Sequence, residues 1–336
     1  MEPPQEGAVV TNLSFYQPSV LLMIGIPGMG RLHHRLLSIL FCSFYLVAFS
    51  GNCTILFIIK RTSSLREPMH HFLSMLAVVD LAMAMCTLPT TLGIFWFDIR
   101  AIGFDACLAQ MYFIHIFSVL ESSVLLAMAF DRFVAISRPL RYKAILTRAT
   151  VVKIGLAMLV RAAVSLLPIP FLLKRLSYCP NNRLSHSFCV HPDVMKLACA
   201  EDITVNVLYG LVVIFSTVGI DFIFIVLSYA LIVRTIASLG VKGKCWKTLN
   251  TCVSHISVVF IFFIPMIALS IIHRFGKNAP PIVSTVVADV YLIVPPALNP
   301  IIYSIKSKPI RKAIWRTLFW KIDMIRNRDS ISLQEV

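Results

Sequence analysis

Residues 205–233 read VNVLYGLVVIFSTVGIDFIFIVLSYALIV, and Asp221 is the one charged side chain in the run. A helix rising about 1.5 Å per residue needs about 20 mostly apolar residues to cross the hydrocarbon core of a bilayer. The run is long enough, and it lacks the two-residue alternation of a barrel strand. It therefore reads as a membrane-spanning helix. Six more runs of this kind lie at 36–59, 72–96, 107–136, 151–173, 250–272 and 281–305. The expected fold is an all-α integral membrane protein, a seven-transmembrane helix bundle plus a short amphipathic cytoplasmic helix. Its parts are an extracellular N-terminus (1–35), the bundle (36–305), and the amphipathic helix and tail (306–336).

Composition points the same way. Of 336 residues, 58% are hydrophobic and 14% charged, with a mean hydropathy of +0.82. Soluble domains carry about 25% charged residues, so a water-soluble globule is excluded. The formal charge of +15 does not indicate nucleic acid. Segments 60–71, 131–153, 234–249 and 306–336 hold 21 Lys and Arg, against 9 in 1–35, 98–106, 174–202 and 273–280. The excess lies beside membrane helices, where it meets anionic lipid headgroups and sets orientation. The N-terminus is expected outside and the C-terminus inside, at the plasma membrane. Residues 1–30 contain no Lys or Arg, so the basic start of a cleavable signal is missing and the first span is expected to direct insertion. Asn12-Leu13-Ser14 is an N-glycosylation acceptor on the expected outer side.

Of nine cysteines, Cys107, Cys179, Cys189 and Cys199 fall on that outer side, where disulfides persist. Four cysteines permit three pairings, and spacing does not choose among them; one choice ties the loop 174–202 to the outer tip of the third span at Cys107. After the seventh span, Ile310, Ile314, Trp315, Leu318 and Phe319 recur at helical spacing between cations, which suits a helix lying on the inner leaflet.

Charges inside a span are costly and point to function by default. Asp80 lies mid-way along span two and Glu121 on span three. Two carboxylates at that depth require a proton, a cation partner or a bound monovalent ion such as Na+. Asn299 and Ser118 are candidate neutral partners, and two separate structural carboxyls are the alternative. Asp131 and Arg132 end span three, as a snorkelling cation or as a latch that pairs in one state and releases in another. Arg161, Asp221 and Asp289 read as structural groups, hydrogen-bonded inside the bundle. In the outer third, Ser270 and Arg274 share a helix face at i, i+4, with His273 beside them. His115 lies about 12 Å below Cys107 along span three. An Arg fork and a hydroxyl suit a carboxylate ligand. The plainer readings are a core histidine for His115 and a solvated cation for Arg274.

Several motifs resemble the rhodopsin-like G-protein-coupled receptors: Gly51-Asn52, Leu76-Ala77-Val78-Val79-Asp80, Asp131-Arg132-Phe133 and Asn299-Pro300-Ile301-Ile302-Tyr303. Met128-Ala129-Phe130-Asp131-Arg132-Phe133-Val134-Ala135-Ile136, Arg138-Pro139-Leu140-Arg141-Tyr142, Ser228-Tyr229 and Thr251-Cys252-Val253-Ser254-His255 resemble the odorant-receptor branch. Gly25-Ile26-Pro27-Gly28, the long outer loop and His273-Arg274-Phe275-Gly276 are similar to its fish-like class I subfamily. The resemblance implies disulfides Cys107–Cys189 and Cys179–Cys199 and a sodium-type site at Asp80 and Glu121. It also implies a G-protein face with Asp131, Arg132, Tyr229 and Tyr303, and an odorant pocket between spans three, five and six. The implied partners are a small-molecule odorant, polar or carboxylic, and a heterotrimeric G protein of the stimulatory, olfactory type that raises cyclic AMP. The chain departs from the pattern at His70, Phe133, Ser137 and Phe263. It also departs at Pro192, where this subclass commonly has a Gln whose amide can face a carboxylic ligand.

The rival reading is a transporter or channel, but the halves show no internal repeat of the kind transporters carry. An enzyme is not expected: His-Glu-x-x-His and Gly-x-Ser-x-Gly are both missing, and the catalytic-looking feature is the carboxylate pair, as in an aspartyl intramembrane protease. Protease applied to intact cells is expected to clip the glycosylated leader and spare the Lys/Arg-rich tail; the reverse cleavage pattern refutes the topology.

Overall fold

The computed structural model describes residues 16–26, 31–199, 202–238, 242–275 and 280–317, with side chains except at 31–34, 242–251, 274–275 and 281. Asn12 lies outside the described residues. Seven helices are long and apolar enough to cross a membrane. They comprise α1 (Arg31–Arg61), α2 (Pro68–Phe95), α3 (Phe104–Ser137), α4 (Arg148–Leu166) with its continuation α5 (Pro168–Lys174), α7 (Thr204–Ser238), α8 (Lys242–Phe275) and α9 (Pro281–Lys306). A short helix α6 (His191–Met195) lies in the loop between α5 and α7. Residues 308–317 form α10, which buries Ile310 and Ala313 and leaves Trp315 exposed. Leu318 and Phe319 fall outside the described residues. Every expected span is present, and most helices run past the apolar run at both ends because polar flanks continue the helical hydrogen bonding.

α3 sits at the centre. Two-thirds of its most apolar window is buried (67%), against 28% for the fourth and fifth spans. It packs on α2, α4 and α7, while α1 lies against α2 and α9, and α8 against α9. Local chemistry shapes the helices. Pro168 and Pro170 interrupt the fourth span, separating α4 from α5. In α7, residues Phe215–Gly219 form a π turn, a local widening that often marks functional sites.

Proline also explains a crossing. Pro300 has no N–H, so the carbonyl of Pro296 loses its helical donor. Asn52 supplies one: its Nδ2 donates to Pro296 O at 2.9 Å and to Ala48 O at 2.9 Å. Gly51 makes this approach possible, because a Cβ there would stand 2.7 Å from Pro300 Cγ. The Gly51-Asn52 pair is thus the α1 half of a joint whose other half is Pro300.

The end of the bundle bearing the four paired cysteines, called here the disulfide face, holds an element with no signal in the apolar pattern. It is a three-stranded sheet in the order β2-β1-β3, made of β1 (Val20–Met23), β2 (Ala101–Gly103) and β3 (Arg183–Leu184). β1 runs antiparallel to β2 and parallel to β3. Leu21 and Met23 point into the core while Val20 and Leu22 are exposed. The disulfides pair Cys107 with Cys189 (Cα–Cα 5.4 Å) and Cys179 with Cys199 (Cα–Cα 5.1 Å). Cys107 caps the beginning of α3, so the first bond holds the loop over the helix ends. The opposite end, rich in Lys and Arg, is called the basic face.

Arg161 and Asp221, read separately as structural groups, turn out to be partners. Arg161 Nη1 lies 2.8 Å from Asp221 Oδ1, and Ser122 and Ser123 each donate to Asp221 Oδ2 at 3.1 Å. The cluster joins α3, α4 and α7. Asp221 is fully buried and Arg161 half-buried, so removing one member strands the other charge at a cost below the about 3–5 kcal/mol of a fully buried pair. Asp221→Ala is expected to cut surface expression several-fold, measured by flow cytometry of a tagged chain. Arg161→Met combined with Asp221→Leu is expected to restore part of it, and failure to do so would count against the pairing.

Candidate functional site

A cavity of about 530 Å³ opens between α3, α7 and α8 below the long loop. His115 and Ser118 reach it from α3, Thr217 and Val218 from the π turn of α7, Met266, Ser270 and His273 from α8, and Tyr291 from α9. The widened turn in α7 presents two adjacent residues, Thr217 and Val218, to the same space. Pro192, on α6, lines the cavity as well. Its place there gives weight to the departure noted in the sequence, because an amide at that point would add a polar contact. Three of the four expected ligand residues converge on this cavity. The fourth, Arg274, lies in α8, but its side chain is outside the described residues.

Hydrogen bonding fixes part of the polar wall. The His191 N–H donates to His115 Nε2 at 3.4 Å. A neutral imidazole that accepts at Nε2 carries its proton on Nδ1, which makes His115 a donor at that atom. Ser270 donates to the carbonyl of Met266 at 2.9 Å, so its oxygen lone pairs remain as acceptors. The cavity can therefore offer both a donor and an acceptor to a small polar molecule.

Below the cavity, Asn299 Nδ2 lies 3.1 Å from both carboxylate oxygens of Asp80 and 3.4 Å from Glu121 Oε1. The expected trio of Asp80, Glu121 and Asn299 is brought together, and all three are buried. Ser118 is not part of it: its hydroxyl bonds neither carboxylate and faces the cavity beside Tyr291. The reason is depth: Ser118 lies nearly one turn, about 4.5 Å, along α3 from Glu121 toward the cavity. Asp289 is buried next to Ser187 of the long loop.

At the basic face, Arg132 donates from Nε and Nη2 to Asp131 Oδ2 at 3.0 and 2.5 Å. Tyr142 donates to the other oxygen, Asp131 Oδ1, at 2.7 Å. The arginine is held by its neighbour, and the neighbour by a tyrosine from the loop after α3. Burial and the adjacent carboxylate push the Tyr142 phenol well above its usual range. Tyr229 meets His255 Nδ1 at 2.5 Å, joining α7 to α8, and Tyr303 points its hydroxyl at Met128 Sδ, 3.9 Å away. Sequence reasoning had no role for Tyr142 or His255. Both sit inside quoted motifs, but only the fold brings them to Asp131 and Tyr229.

A family model described as "Olfactory receptor" matches residues 41–321. The chain belongs to the olfactory receptor family. It is 55% identical over 303 residues to olfactory receptor 51G2 of Homo sapiens, covering 90% of this chain and 96% of that one. It is 51% identical to olfactory receptor 51E2 of Mus musculus, covering 88% and 92%. Squid rhodopsin matches the fold with a TM-score of 0.69 at 17% identity, covering 92% of both chains. The receptor is thus an olfactory G-protein-coupled receptor and a multi-pass membrane protein, and its relatives are receptors rather than enzymes.

Burial of His191 in the receptor's loop lowers its pKa from 6.5 to about 4. The unfolded chain takes up this proton first as pH falls, so the residue costs stability from about pH 6.5 downward, levelling near pH 4. Purified receptor is expected to melt at lower temperature as pH drops through that window, and His191→Gln is expected to flatten part of the slope. An unchanged slope in the variant would show that His191 is not responsible.

Proposed function

We propose that the receptor binds a small polar odorant in the cavity between α3, α7 and α8. On binding, it activates a stimulatory, olfactory-type G protein and raises cyclic AMP. The observation that carries this reading is the cavity itself. About 530 Å³ is within the usual range for small-molecule sites, and apolar walls with a few convergent polar groups are their usual make-up. The polar groups are His115, Ser270 and His273. In this reading the disulfide face looks outward at the plasma membrane, where paired cysteines and the Asn12 acceptor belong, and the basic face meets the cytoplasm.

The geometry suits a lever. Pro265 lies within α8, between the cavity residues Met266 and Ser270 and the basic-face half. A ligand that bonds Ser270 and His115 together draws the disulfide-face end of α8 toward α3. The helix turns about the bend at Pro265, and its other end moves away from α3. That movement separates His255 from Tyr229 and opens a cleft beside Arg132. The Asp131–Tyr142 clamp describes the closed latch, and a G-protein segment docking in the cleft takes over the arginine. A ligand shifts this balance only by binding one arrangement better than the other.

The Asp80–Glu121–Asn299 cluster fits a shared proton or a small hard cation such as Na+, because all the converging atoms other than the Asn299 amide nitrogen are carboxylate oxygens. These residues lie between the cavity and the latch along α3. Acids remain within the proposed ligand class through Arg274, one turn beyond Ser270, although Pro192 takes away an amide partner.

A panel of acids and non-acids of graded length, read out through cyclic AMP, tests the pocket. His115→Ala and Ser270→Ala are each expected to raise the half-maximal concentration about tenfold, the loss of roughly one hydrogen bond. Arg274→Ala is expected to abolish acid responses with surface expression intact. Responses to every odorant that match the unmodified receptor would rule out this cavity.

A further inference from the structure

Where the long loop meets the end of α8, two imidazoles converge, and one of them, His273, also lines the cavity. His186 and His273 place their Nε2 atoms 3.5 Å apart. Their ring centroids are 5.3 Å apart and the planes are inclined at 78°. Two imidazole nitrogens bound at about 2.05 Å to one tetrahedral ion would lie about 3.3 Å from each other. Hydrogen bonds from N–H groups centre nearer about 2.9–3.0 Å. The observed spacing is closer to that of two ligands on a shared ion.

The surroundings of His186 support a ligating role. The residue is buried, and its second nitrogen, Nδ1, lies 3.0 Å from Asp193 Oδ2. The same oxygen accepts the backbone N–H groups of Ser185 at 2.8 Å and His186 at 3.3 Å. The carboxylate is therefore fixed by the loop, and its charge favours a proton on Nδ1. That tautomer turns the Nε2 lone pair toward His273. A carboxylate behind the remote nitrogen is the usual support for a metal-bound histidine, and imidazole pairs suit zinc-class ions.

We propose that His186 and His273 bind a divalent transition-metal ion of the zinc class, with Asp193 as a positioning residue. Among the described residues no third His, Cys, Asp or Glu joins them, so water completes the coordination. The ion fastens the loop to the end of α8. Because His273 also lines the cavity, a bound ion stiffens one wall of it and restrains the segment of α8 beyond Pro265. The site shares His273 with the odorant cavity, but metal binding is read without odorant and can fail or succeed independently of that reading.

The test uses purified full-length receptor in lipid nanodiscs, titrated with Zn2+ alone and with Co2+ as a spectroscopic probe. Zn2+ is expected to raise the melting temperature saturably and EDTA to reverse the rise; Co2+ is expected to give a visible absorption band. His186→Ala and His273→Ala are each expected to weaken binding about tenfold or more, and Asp193→Asn several-fold. His273→Cys, which retains a ligating atom, is expected to keep the site. His71→Ala, on α2 at the basic face, is expected to change nothing. Absence of saturable, EDTA-reversible stabilisation in the unmodified receptor overturns the proposal, as does equal affinity in both His-to-Ala variants. The first readout needs no variant and stands even if a substitution prevents folding.

Discussion

Hydrocarbon offers no hydrogen bonds, so each backbone N–H and C=O within the bilayer has to find its partner in the chain. That requirement makes the spans helical. It also dictates what happens where a helix cannot complete its own ladder. Pro300 strips the Pro296 carbonyl of its donor, and Asn52 reaches across from α1 to replace it, over a glycine that lets the two helices touch. The same rule extends to side chains. Asp221 gathers Arg161, Ser122 and Ser123, while Asn299 spans Asp80 and Glu121. Polar groups in the spans are few, and where they gather they mark the joints between helices.

α3 carries most of these joints. Along its length come Cys107 with its disulfide to the loop, His115 at the cavity, Glu121 opposite Asp80, Ser122 and Ser123 against Asp221, and Arg132 with Asp131 at the basic face. A rigid central helix with contacts to α2, α4, α7 and α8 can link a change at one face to a change at the other without moving far itself. In the proposed mechanism the moving part is α8, which has few contacts with α7 and carries an internal proline, Pro265. The Tyr229–His255 contact, a polar link between α7 and α8, lies at the basic-face end, where the lever separates them.

The loop between α5 and α7 is more than a cover. It supplies β3 to the small sheet, Pro192 and Met195 to the cavity wall, the N–H that sets the His115 tautomer, and the His186–Asp193 pair. Two disulfides and a strand pairing hold it in register, and its position sets both the shape and the polarity of the cavity.

Sequence by itself determined the seven spans, because the ~30 Å hydrocarbon thickness imposes a length and an apolar composition that no soluble segment needs to match. Motif spacing also located Asp80, Glu121, Asn299 and the Asp131–Arg132 pair. The tertiary structure alone decided which distant groups meet. Arg161 and Asp221 are sixty residues apart, and nothing in either helix names the other. Ser118 was a candidate partner of the carboxylates, yet it lies nearly a turn nearer the disulfide face and reaches Tyr291 at the cavity. The π turn in α7, the three short strands, the Tyr142 clamp and the approach of His186 to His273 depend on packing rather than on local pattern. Periodicity fixes which face of a helix is buried, whereas the partner on that face is set by how the helices cross.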